Sequence, residues 1–210
     1  MRSYDQYCSL ARALDIVGDR WTLLVVRELL VRPCRYADLQ AGLPGIATNL
    51  LAERLRLLED TGVVSHDAQG RYQLTGWGQR LAVPVRELAR WGAPLMQSKA
   101  EADAFRGTWF ALTAAMMFGG TDPRRPDLAV EIRSGGETVS MRSKGGQVSF
   151  RPGPADRPDL VLSGPPDAII GLLGGGLSAE DAAGHGVTIL GDARNLDRLR
   201  QPDWISGPAA

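Results

Sequence analysis

The chain has 210 residues, enough for one large domain or two small ones, with 44% hydrophobic residues and 24 basic against 24 acidic side chains. That balance describes a soluble globular protein, and no apolar run approaches the roughly 18 residues that a membrane-spanning helix needs. Two cysteines are too few for a disulfide framework, and "MRSYDQYCSLARALD" has neither the apolar core nor the cleavage site of a signal peptide, so the cytoplasm is the expected location.

In chain order, "CSLARALDIVG" is the first predicted helix, with Leu10, Leu14 and Val17 on one stripe and Gly18 as its stop. Asp19 is the expected N-cap of "RWTLLVVRELLV", which ends before Pro33. "RYADLQAGL" is a short third helix closed by Gly42 and Pro44. In "GIATNLLAERLRLLEDTGVV" the apolar positions Leu51, Leu55 and Leu58 recur at i, i+4 and i+7, and Gly62 stops this fourth helix. Two strands around a turn at Asp67–Gly70 follow in "VVSHDAQGRYQLT". "WGQRLAVPVRELARWGAPLM" is a fifth helix, expected to kink at Pro84. Four helices, a hairpin and a helix in this order are the layout of a winged helix-turn-helix, in which the fourth helix enters the major groove and the hairpin lies along the backbone.

Three stretches carry a family resemblance: "CSLARALDIVGDRWTLLVVRELL", "RYADLQAGLPGIATNLLAERLRLLEDTGVV" and "YQLTGWGQRL". They resemble the HxlR family of bacterial winged-helix regulators from about Cys8 to Trp91. The features are a cysteine before the first helix, Gly-Asp-Arg-Trp, Leu-x-x-Arg-Leu-x-x-Leu-Glu and Tyr-x-Leu-Thr-x-x-Gly. The family often has Ser where this chain has Ala47, which leaves Thr48 as the expected cap. The resemblance implies a DNA operator as partner, a repressor, and a homodimer formed through the first and last helices, here bearing Leu10, Leu14, Val17, Leu81, Val85, Leu88 and Trp91. It also implies that Cys8 is a candidate redox sensor. Arg12, one turn along, is placed to favour its thiolate, although Asp5 is also near.

A balanced net charge does not exclude nucleic acid, because local arginine clusters hold phosphates whatever the total. Thr48 and Asn49, near the start of the fourth helix, are the candidates for base edges: Thr through hydroxyl or methyl, Asn by bidentate pairing with adenine. Arg54 and Arg56 suit phosphates. Arg35 and Tyr36 are placed to hold the backbone, and Arg71 is the wing residue. Cys34, beside Pro33, reads as inert.

The second half changes texture. "SKAEADAF" is a linker or a continuing helix, and "WFALTAAMMF" is a helix with an apolar face. "LAVEIRS" and "ETVSMRS" form a hairpin around Gly135-Gly136, "GGQVSFRPG" and "PDLVLSG" add strands, and "PPDAIIGLLGGG" is a helix with Pro at its start. "SAEDAAGHGVTILGDARNLDRLRQ" adds a short helix, a strand and a last helix. The expected class is α+β with an antiparallel sheet, divided into a DNA-binding and dimerisation domain over 1–97 and a second domain over 98–210. Residues 157–199 resemble sterol-carrier-protein-like domains, which implies an apolar effector site. Trp109, Phe110, Met116, Met117 and Phe118 are its candidate lining, and a packed core is the plainer use of the same residues.

Catalysis is not expected. His66 and His185 are the only histidines and lie far apart, no cluster has metal-ligand spacing, neither "GGGLS" nor "GGQ" is a phosphate loop, and no G-x-S-x-G occurs. No cofactor or metal is expected. The alternatives to an effector-responsive regulator are a thiol sensor acting through Cys8 and a lipid-binding carrier.

Overall fold

Leucine periodicity and turn chemistry build the first part of the chain. In the computed structural model, which describes residues 3–96, 104–107, 109, 126–145 and 147–198, the chain divides into two compact units, Met1–Val85 and Arg86–Ala210. The first holds α1 (Ser9–Val17), α2 (Thr22–Val31), α3 (Tyr36–Gly42), α4 (Thr48–Asp60) and the antiparallel strands β1 (Val64–His66) and β2 (Tyr72–Leu74). A 3-10 turn, Gly78–Leu81, leads into α5 (Ala82–Gly92), and the boundary between the units falls within that helix.

Val25, Val26, Leu29, Leu39, Leu51, Leu55, Leu58 and Val63 are all buried and form the core of this unit. α3 and α4 are joined by a type II turn. Pro44 supplies its fixed φ, Gly45 stands at φ 87, and the Ile46 N–H donates to the Leu43 carbonyl at 3.1 Å. α4 ends in a Schellman motif: Gly62 is left-handed at φ 74, and the Val63 and Gly62 N–H groups reach the Leu58 and Glu59 carbonyls.

Three local expectations need correction. Asp19 does not cap α2. That helix starts at Thr22 behind Trp21, whose φ of 78 is a left-handed conformation costing about 1–2 kcal/mol in a residue with a Cβ. Thr48 does not cap α4. Ala47 holds the N-cap position, no side chain caps it, and Thr48 is the first helical residue. Pro84 produces no kink in the middle of a helix. The 3-10 turn passes into α5 two residues earlier, so Pro84 lies in the first turn, where its missing N–H would have had no intrahelical partner.

The second unit contains a five-stranded sheet of β3 (Leu128–Ser134), β4 (Glu137–Lys144), β5 (Gln147–Pro152), β6 (Leu160–Ser163) and β7 (Thr188–Gly191) in the order β5-β4-β3-β6-β7. Gly135 and Gly136, at φ 57 and 78, make the β3–β4 turn. The sheet is mixed rather than antiparallel, because β6 runs parallel to β3 with Val130 opposite Leu160. β5 already runs in the direction of β3, so residues 153–159 cross the sheet and return to the start of β3. There the Ala155 N–H donates to Glu131 and the Asp159 N–H to the Ala129 carbonyl. The other face is the core: Leu128, Val130, Ile132, Met141, Leu160 and Leu162 pack against Ile169, Leu172 and Leu173 of α6 (Pro166–Leu173) and Ala182 of α7 (Ala179–Gly184). The expected last helix is a 3-10 segment, Ala193–Arg198. Of the candidate effector residues only Trp109 is described, half-buried with its N–H donating to the Arg106 carbonyl; Phe110, Met116, Met117 and Phe118 lie outside the described residues.

Candidate nucleic-acid interface

α4 is two-faced by construction. Leu51, Leu55 and Leu58 are each no more than 1% exposed, whereas Asn49, Glu53, Arg56 and Asp60 fall on the opposite stripe. Thr48 and Asn49 are exposed at its first turn. α3 holds that turn in place: the Tyr36 hydroxyl donates to the Thr48 carbonyl at 2.7 Å, and the Gln40 amide lies 3.4 Å from both the Ile46 carbonyl and Thr48 Oγ1. Tyr36, a candidate for holding the DNA backbone, thus also braces α4, and Gln40 does the same from the same face of α3. Only the i, i+4 spacing of Tyr36 and Gln40 hints at that role in the sequence.

Arg35, Arg56 and Arg71 lie at the surface in three different settings. Arg35 is exposed just before α3, and its backbone N–H donates to Asp38 at 2.9 Å. Arg56 is exposed on α4, with Nε donating to the Ala52 carbonyl of its own helix. Arg71 closes the wing turn: its Nε lies 2.7 Å from Asp67 Oδ2, while Asp67 Oδ1 accepts the Gln69 and Arg71 N–H groups. The Arg71 backbone N–H, then the Arg71 guanidinium and the Gln69 N–H, hold the Asp67 carboxyl below its ordinary pKa.

Arg54 is engaged elsewhere. Its guanidinium pairs with Asp19 at 2.9 Å and Glu53 at 3.0 Å, and Nε reaches the Arg20 carbonyl. The side chain is 12% exposed and ties α4 to the α1–α2 turn. The Asp of Gly-Asp-Arg-Trp and the Arg of Leu-x-x-Arg-Leu are thus the two ends of one ion pair, a link invisible at a separation of 35 positions.

The wing is anchored on both sides. β2 pairs with β1, and Tyr72 exchanges two backbone hydrogen bonds with Cys34 at 3.0 and 2.8 Å. The His66 ring packs 4.4 Å from the Tyr72 ring, and His66 Nδ1 lies 3.0 Å from Glu59 of α4. Cys34 is buried, and desolvation raises its thiol pKa. Cys8 is exposed at the start of α1, where the N–H dipoles of Ala11 and Leu10 lower its pKa. The expected helper Arg12 is turned to Ser3 and Asp15 instead.

A helix held by its neighbour through an intervening turn, with its first turn exposed and an anchored hairpin beyond it, defines a winged helix-turn-helix protein of the DNA-binding class. The HxlR-like helix-turn-helix profile matches residues 16–100. YvaP of Bacillus subtilis, an HTH-type transcriptional regulator, is 36% identical over 86 residues, covering 38% of this chain and 80% of YvaP. The chain belongs to the HxlR-like helix-turn-helix family of transcriptional regulators. The regulator Rv3095 of Mycobacterium tuberculosis is 37% identical over 90 residues, and the match spans 40% of this chain and 56% of Rv3095. Among solved structures, the quinone-bound YodB of Bacillus subtilis matches 40% of this chain and 93% of its own at 30% identity, with a TM-score of 0.37.

Proposed function

We propose that the protein binds an operator in duplex DNA as a homodimer and acts as a repressor, with residues 1–97 providing DNA binding and dimerisation and residues 98–210 holding a small apolar effector. The observation that carries the DNA reading is the exposed first turn of α4, braced by Tyr36 and Gln40 with its leucines buried beneath. In this reading Thr48 and Asn49 meet base edges, Arg35 and Arg56 meet phosphates, and Arg71 reaches the backbone from the wing. Tyr36 and Arg54 position α4. Dimerisation is supported by apolar side chains left at the surface of α1 and α5, including Leu10 at 66% exposure and Trp91 at 79%. The effector reading rests on the resemblance of residues 157–199 to sterol-carrier-protein-like domains; the apolar face of the second unit's sheet is filled by its own core under α6 and α7. Effector binding represses or releases only through a difference in affinity between two DNA-binding states. A cytoplasmic location accords with this function.

Fluorescence anisotropy with operator and scrambled duplexes tests the DNA reading. Asn49→Ala is expected to weaken operator binding by about 5- to 150-fold, corresponding to about 1–3 kcal/mol, with little change for scrambled DNA. Arg56→Gln is expected to weaken both and to lower the salt slope by about one phosphate contact. Absence of any salt-dependent complex with duplex DNA overturns the reading.

A second reading rests on Cys8. Its exposure and its place at the start of α1 favour the thiolate that a redox or electrophile switch requires. Operator release under oxidant that survives Cys8→Ser removes it.

A further inference from the structure

The face of the sheet opposite its core carries charge that the helix-turn-helix does not use. On β4 and β5 the register sets Arg142 opposite Ser149 and Ser140 opposite Arg151. Met141, Val139 and Ser143 point to the buried side, so these four share the outer face. Beyond Arg142 the next strand offers only Ala129. The crossing segment then rises beside them, and Pro154, Ala155 and Asp156 wall a cleft of about 440 Å³ whose floor includes Ala129, Ser140 and Ser149. That volume is in the range of small-molecule sites.

The charges around this cleft are unevenly paired. Glu131 belongs to the same face but is committed: it accepts the Ala155 N–H at 2.9 Å, pairs with Arg133 at 2.6 Å and is 3% exposed. In the same unit Arg106 pairs with Glu137 and Arg194 with Asp192. Among the described residues no carboxylate pairs with Arg142 or Arg151, and Asp156 lines the cleft without reaching either. Two guanidinium groups on diagonal cross-strand positions, about 7–8 Å apart at the backbone, repel unless an anion lies between them. Ser140 and Ser149 spend their hydroxyls only on long bonds, 3.3 and 3.4 Å, to the Arg151 and Arg142 carbonyls, and can turn to a ligand.

We propose that this cleft binds the oxyanion of a small molecule, a phosphate or carboxylate group, between Arg142 and Arg151. Each guanidinium offers a planar fork matched to an oxyanion, and the crossing segment limits the ligand's size. The cleft lies on the face of the second unit's sheet away from its apolar core.

Isothermal titration of the full chain at low ionic strength, with inorganic phosphate and with malonate as probes, tests this. Saturable one-site binding of at least one probe is expected, weakened 10-fold or more in Arg142→Gln and in Arg151→Gln and unchanged in Arg80→Gln, an exposed arginine of the first unit. Arg142→Lys, which keeps the charge but loses the fork, is expected to fall between. Vesicles containing phosphatidic acid, compared with soluble phosphate, separate a lipid headgroup from a free anion; capture by either that is lost in the double variant supports the site. Binding that does not saturate, or is equal in the folded double variant, overturns it. So does a double variant that loses only duplex DNA affinity, which would make this a nucleic-acid face.

Discussion

Single side chains decide several features of the first unit. Thr22 is fully buried at the start of α2, and its hydroxyl has no hydrogen-bond partner among the described residues. A buried hydroxyl without a partner costs about 1–3 kcal/mol, so Thr22→Val, which keeps the shape and removes the hydroxyl, is expected to leave stability unchanged or raise it by about 1 kcal/mol in urea denaturation. Ala47 presents the opposite case. It stands in extended N-cap geometry at φ −70 and ψ 142 with no side-chain acceptor, so Ala47→Ser is expected to stabilise the fold by about 0.5–1 kcal/mol, read as a rise in the urea midpoint at constant m. Trp21 was legible as part of a motif, but its left-handed backbone was not, since only the packed surroundings can hold a residue with a Cβ there.

At the level of elements, the wing turn depends on one carboxylate. Asp67 has a pKa below its ordinary value in the folded chain, so its contribution is present above the unfolded carboxylate pKa and is lost as pH falls through the folded one. Acidification below about pH 4 is therefore expected to open the wing, seen as faster exchange of the Gln69 and Arg71 amides, and Asp67→Ala is expected to show that exchange already at neutral pH. Helix α4 was readable in the sequence because three leucines at helical spacing and a Gly stop are local signals. The mixed sheet was not. A parallel neighbour for β3 follows from where residues 153–159 cross, and no local pattern on β6 marks the direction of its partner.

For the whole molecule, the dimer reading makes a direct prediction. In α1 only Ala11 is buried while Leu10 and Leu14 remain exposed, so Leu10→Glu is expected to leave the fold intact, shift sedimentation from dimer to monomer and abolish tight operator binding. A wild-type chain that sediments as a monomer at all concentrations would remove the proposed dimer while leaving the half-site contacts of α4 untouched.

By itself the sequence determined the order of helices and strands in the first unit, the buried leucine face of α4, the two hairpin turns and the family motifs. Each of these rests on propensity, periodicity or turn chemistry within a window of a few residues. Tertiary structure alone decided that Asp19 meets Arg54, that Tyr36 and Gln40 brace Thr48, that β6 runs parallel to β3, and that Arg142 and Arg151 share one face without a carboxylate partner among the described residues. Those outcomes depend on which separate segments are brought together. Strand register and packing fix that, and neither is written in the spacing of neighbouring residues.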